Sequence, residues 1–124
     1  WMSSLIPLLI KTSYSDRHIF EKSKCIFSIY ENSFKEKLDK KMIDKISDED
    51  IDSNMLTSLK SNDYQGLINI ASEYSDAIIR PEKSLNKATE DSISNISPKN
   101  KVHKLSEGEK SVESHYKLYN EILK

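Results

Sequence analysis

Asp48, Asp50, Asp52 and Asn54 alternate along the chain as oxygen ligands do at the front of a calcium loop, where positions one, three, five and seven surround a hard cation. The rest of that loop is missing. Ser53 stands where glycine is needed and Leu59 where a bidentate glutamate is needed. Acidic residues in a first helical turn are already accounted for by the helix dipole, so no metal is expected here. His18, His103 and His115 have no spacing that places two ligands on one helical face, and Cys25, the only cysteine, lacks the second thiol of a zinc site. Cys25 lies beside an apolar stripe and reads as a buried, inert thiol. No catalytic residue, cofactor or metal ligand is assigned.

The lysines Lys35, Lys37, Lys40, Lys41 and Lys45 are the densest basic cluster, and Glu36, Asp39 and Asp44 interrupt it. Such alternation reads as a solvated helical face with i to i+4 pairs. Arg17 and Arg80 are the only arginines and the isoelectric point is near 6.4, so nucleic acid is not an expected partner. Tyrosine offers a better lead. Tyr64, Tyr74, Tyr116 and Tyr119 fall on the apolar faces of two expected helices, and tyrosine covers interface area at low entropic cost while keeping a polar tip. Residues 48–96 hold ten Asp/Glu against four Lys/Arg, an acidic middle between mildly basic ends. Asp48, Glu49, Asp50 and Asp52, with those four tyrosines, form the candidate binding set, and another protein, with a basic surface, is the expected partner.

Gly66 and Gly108 are the only glycines in 124 residues. Phosphate-cradling loops, nucleophile elbows and dinucleotide turns depend on residues that tolerate positive φ or let a ligand approach the backbone. The expected function is accordingly a non-catalytic protein–protein interaction module acting by shape and charge: an immunity-type inhibitor, an adaptor or chaperone, or a small assembly subunit. The alternative is a small helical enzyme or toxin-like effector domain using scattered His, Glu and Tyr side chains. A lone thiol suits a cytoplasmic setting. The apolar run of residues 1–10 is too short to span the ~30 Å core of a bilayer, which leaves surface contact as its only membrane role.

Helices are the elements expected to position these groups, in one all-α domain over residues 1–124. Ser15 caps a helix from Asp16, along which Ile19, Phe20, Ile26, Phe27, Tyr30, Phe34 and Leu38 recur at mostly three- and four-residue spacings. Ser47 with Asp50 resembles a capping box for a helix from Asp48. Asn62 with Gln65 forms another, opening a helix that runs through Ile78 and Ile79 to Pro81. A short or frayed helix is expected over residues 82–97 and a polar connector over 97–104. Ser106 with Glu109 starts a C-terminal helix over 106–124. The fold class this implies is an antiparallel bundle of four to five helices, with 15–80 as its core and 1–12 as an apolar N-terminal segment.

Overall fold

The computed structural model describes residues 3–30, 33–47, 50–81, 85–96, 101–105 and 111–124. Along them run α1 (Ile6–Lys11), β1 (Ile26–Ser28), α2 (Met42–Ile46), a 3₁₀ turn (Thr57–Ser61), α3 (Tyr64–Tyr74), β2 (Ala77–Pro81), α4 (Lys87–Ile96), β3 (Val102–Leu105) and α5 (Ser111–Leu123). The strands form a parallel sheet in the order β1, β2, β3, with Ile78 opposite both Phe27 and Val102. The molecule is therefore mixed α/β, which corrects the expected all-α antiparallel bundle.

The physical reason lies in two short apolar runs. Ala77, Ile78 and Ile79 are all buried, because β2 is the central strand and is covered on both faces. A strand buried on both faces shows no polar alternation and cannot be told from a buried helical segment by periodicity. β-Branched isoleucines and hydrogen-bonding neighbours on each side decide for the strand. The other run does alternate. Cys25, Phe27 and Ile29 are buried while Ile26 and Ser28 are half-buried, a period of two that the longer three-and-four pattern obscures. The expected helix from Asp16 is thus replaced by turns and then β1. The helix expected to end at Pro81 stops at Tyr74, and Asp76 passes the chain into β2.

Neighbouring side chains of each strand point to opposite faces, and the core divides accordingly. Phe27, Ile29 and Ile78 pack with Tyr64, Ile68 and Ala71 of α3 and with Ile93 of α4. Ile79 and Leu105 face the other way and meet Leu118 of α5. A third cluster lies behind α3, where Leu67 and Ile70 meet Leu8 of α1 and Ile51, Leu56 and Leu59. Helix α3 is thus apolar on two sides, as a helix enclosed between layers must be. The N-terminal segment packs on the chain itself, and the expected helix over 82–97 appears as α4. Residues 102–104 of the expected connector fall in β3 instead, paired to β2. The box at Ser106 and Glu109 lies outside the described residues. No helix among the described residues is long and apolar enough to cross a membrane.

Polar ties close the layers. Asp76 Oδ2 accepts from Lys11 Nζ at 2.8 Å and from the Cys25 amide at 2.7 Å, joining α1, β1 and the start of β2. Burial raises the Asp76 pKa, but the Lys11 ammonium and the Cys25 N–H outweigh it and hold the carboxyl below its ordinary value. Lys101 Nζ donates to the Ser72 and Glu73 carbonyls at 3.0 and 3.2 Å, meeting the negative end of the α3 dipole.

Gly66 shows why one of the two glycines is needed. A Cβ there would stand 2.6 Å from the Ser58 carbonyl oxygen and 2.7 Å from Ser61 Oγ, because the 3₁₀ turn lies directly against the first turn of α3. Helix propensity favours alanine over glycine by about 1 kcal/mol, whereas overpacking against backbone costs about 1–3 kcal/mol. Steric conflict should win. Gly66→Ala is expected to lower the urea midpoint with an unchanged m-value; a rise in the midpoint would show that the turn yields freely.

Candidate functional site

In a parallel α/β sheet, ligands bind in the crevice outside the carboxyl ends of the strands. Here that edge is reached by residues 33–37, by the N-terminus of α3 and by Asn86 at the start of α4. These three meet around a crevice of about 290 Å³, lined among others by Phe34, Lys35, Lys37, Asp63, Gln65 and Asn86. Two helices open onto it. Asp63 caps α3, its carboxylate accepting from the Gly66 amide at 3.0 Å. Asn86 Oδ1 accepts from the Thr89 amide at 3.0 Å in the first turn of α4.

Asp63 organises one wall. Lys37 Nζ donates to its Oδ2 at 2.8 Å and to the Ser61 carbonyl at 2.9 Å, while Ser61 Oγ donates to Oδ1 at 2.7 Å. Asn62 takes a left-handed conformation with φ of 50°, and its carbonyl accepts from the Leu38 amide at 2.7 Å. The segment after β1 is thereby fastened to the start of α3. The capping box expected at Asn62 is displaced by one residue, with Asp63 doing the capping. On the opposite wall Gln65 Nε2 donates to Ser92 Oγ of α4 at 2.6 Å and to Asn69 Oδ1 at 3.2 Å. Phe34 meets Tyr64 edge to face, ring centres 5.7 Å apart, and the Tyr64 hydroxyl donates to the Tyr30 carbonyl at 3.3 Å.

Burial raises the Asp63 pKa, yet the bonds from Lys37, Ser61 and the Gly66 amide outweigh it and bring it to about 2. Such a carboxylate is charged throughout the neutral range and is too weak a base for efficient proton transfer at neutral pH. The crevice offers amide, ammonium and carboxylate groups beside one aromatic wall. It suits the binding and orientation of a ligand rich in hydroxyl groups.

A second hollow, of about 260 Å³, lies at the opposite, amino edge of the sheet among Lys24, Asp76, His103 and Glu121. Its best-placed acid, Asp76, is already held by Lys11 and Cys25. That carboxylate serves the fold.

The sequence-derived set does not gather into one surface. Asp48 and Glu49 lie outside the described residues. Asp50 is exposed, and Asp52 Oδ1 accepts from the Asn54 and Met55 amides at 2.7 and 3.1 Å. The expected helix start after Ser47 is corrected by this turn, since Ser47 instead ends α2. Tyr64 is buried against the sheet, and Tyr74 is half-buried behind α3, where burial raises its pKa with help from Glu73 and Asp52. Tyr116 and Tyr119 are exposed on α5. Among the described residues no three His, Cys, Asp or Glu side chains form a metal-holding group. The crevice residues Phe34, Gln65 and Asn86 were missed because only the parallel crossover brings them together. The legible signal was Asp63 three residues before Gly66, an N-cap in its own right.

Acid titration tests the Asp63 wall. Its pKa falls from 3.8 to about 2 on folding, so its stabilisation is complete above about pH 4 and is lost as pH drops through about 2. Asp63→Ala should cost about 1 kcal/mol at neutral pH through the lost cap and should flatten the acid limb of the stability profile. An acid limb as steep as the parent's would refute this assignment.

Residues 1–88 match the family model described as "Starch synthase catalytic domain". No curated protein and no solved structure matches the chain. The matched stretch contains β1, α3 and β2, and every residue that lines the crevice. It overturns the expected non-catalytic interaction module, with its inhibitor and adaptor variants. That expectation required glycine-rich loops or His and Cys clusters for chemistry, whereas group transfer also works by positioning and by polar groups aimed at developing charge.

Proposed function

We propose that this chain, which belongs to the starch synthase catalytic domain family, takes part in glycosyl transfer and holds an α-glucan in the crevice at the carboxyl edge of its sheet. One observation carries the reading: in a chain of this family, the place where a parallel sheet presents its ligand groups is lined by side chains suited to sugar hydroxyls. Lys35, Gln65 and Asn86 offer hydrogen-bonding groups, and Phe34 offers an apolar wall for the carbon-bound face of a glucose ring. Asp63 and Lys37, bound to each other, fix that wall in place. The work assigned to these residues is binding and orientation, not proton transfer. The single buried thiol, Cys25, suits a reducing, cytoplasmic compartment.

Titration of the isotopically labelled chain with maltoheptaose, followed by amide chemical shifts, tests the reading. Saturable shifts should concentrate at residues 33–37, 63–66 and 86–88, and β-linked cellohexaose should not reproduce them. Lys35→Ala or Gln65→Ala should weaken binding roughly two- to tenfold, the equivalent of one hydrogen bond of about 0.5–1.5 kcal/mol. Shifts confined to the amino edge of the sheet, or equal responses to the two sugars, would defeat it.

A further inference from the structure

The least exposed ion pair among the described residues lies at the carboxyl edge of the sheet but does not line the crevice. Arg80 is the penultimate residue of β2, and its Nη1 donates to Glu90 Oε2 of α4, the two side chains being 13% and 26% exposed. Stability is a poor reason for such a pair. Withdrawing two charges from water is repaid only when the remaining donors also find acceptors, and Arg80 Nε is buried with no hydrogen-bond partner. Apolar side chains of similar volume would fill this space at no loss of stability.

What the pair does is fix a position. The other carboxylate oxygen, Glu90 Oε1, accepts from the Leu85 amide at 3.1 Å, and the Glu90 amide donates to the Asn86 carbonyl at 3.0 Å. One side chain thus ties the end of the central strand to the residue before Asn86, and one turn of helix ties it to Asn86 itself. Asn86 and Ala88 are what the start of α4 gives to the crevice. Asn86 Oδ1 accepts in turn from the Thr89 amide, which sets the plane of its side-chain amide. From this chain of contacts we infer that Arg80 and Glu90 are positioning residues for the crevice, holding Asn86 where it meets a glucan hydroxyl. The assignment rests on the glucan-binding reading given above and names what holds the start of α4 against the sheet. Gln65 grips α4 further along, at Ser92, so the first turn depends on Glu90. The Asp63 wall has a fastening of its own in Lys37 and Ser61, and the two sides of the crevice therefore respond separately to loss of the pair. A guanidinium–carboxylate contact suits this task because it is directional, whereas apolar contact is not.

Arg80→Met combined with Glu90→Gln removes both charges at similar volume and leaves an oxygen for the Leu85 amide. The urea midpoint of the full chain should stay close to the parent's, since exchanging a buried ion pair for uncharged groups of like volume is often neutral. Without ligand, hydrogen exchange at the Thr89 amide should quicken while the Gly66 amide, bonded to Asp63, keeps the parent's rate. Maltoheptaose should bind roughly two- to tenfold more weakly, the loss of about one hydrogen bond, with amide shifts lost at residues 86–88 and retained at 63–66. Glu90→Gln alone should give the same pattern of exchange and shifts, which keeps the role testable when the double variant does not fold. Parent affinity together with the parent's exchange rate at Thr89 overturns the positioning role and leaves the glucan reading standing. Shifts lost at 63–66 as well as 86–88, with a lowered midpoint, would make the pair a support of the whole fold and overturn the role equally. A parent chain that binds no maltoheptaose sinks the glucan reading, and the positioning role with it.

Discussion

Burial of β2 on both faces is the constraint from which the other layers follow. Ala77, Ile78 and Ile79 retain almost no exposure, so each side of this strand must find a cover. Ile78 is covered by α3 and α4, and Ile79 by α5. The backbone groups of the strand must likewise find partners on both edges, and β1 and β3 supply them in parallel register. Parallel pairing in turn demands long crossovers. The crossover into β2 carries α2, the 3₁₀ turn and α3, and the crossover out of it carries α4.

Those crossovers explain why polar side chains collect where they do. A helix that precedes or follows a strand in such a unit begins at the carboxyl edge of the sheet, so the N-termini of α3 and α4 come to one place without any special design. Each start leaves unsatisfied amides that need oxygen acceptors, and Asp63 and Asn86 provide them. Capping and site-building thus use the same residues. Gln65, in the first turn of α3, then reaches Ser92 of α4 and fastens the two helices together.

Much of the helical content was legible because it rests on local physics. The start of α3 was visible within one residue, α4 was visible in Leu85, Ala88 and Ile93, and α5 in the spacing of its apolar residues. What local patterns could not show was the strand identity of Ile78 and Ile79. Covered on both sides, they display the same unbroken apolarity in a helix and in a central strand, and only their distant partners, Phe27 and Val102 for Ile78 and Ser28 and His103 for Ile79, separate the two. The crevice was hidden for the same reason. Lys37 and Asp63 stand 26 residues apart, and their contact exists only once β1 and β2 pair.

Glycine scarcity keeps its meaning, although it points elsewhere than to the absence of a reaction. With few positions where a ligand can approach bare backbone, recognition at the sheet edge falls to side chains. Side chains can be held in place only by one another. Lys37, Ser61 and Asp63 do this on one wall of the crevice and Gln65, Asn69 and Ser92 on the other. Gly66 enters where backbone must approach backbone, letting the 3₁₀ turn press on α3 so that Ser61 reaches Asp63. The glycine therefore acts behind the crevice, and the shape of that wall depends on a residue behind it.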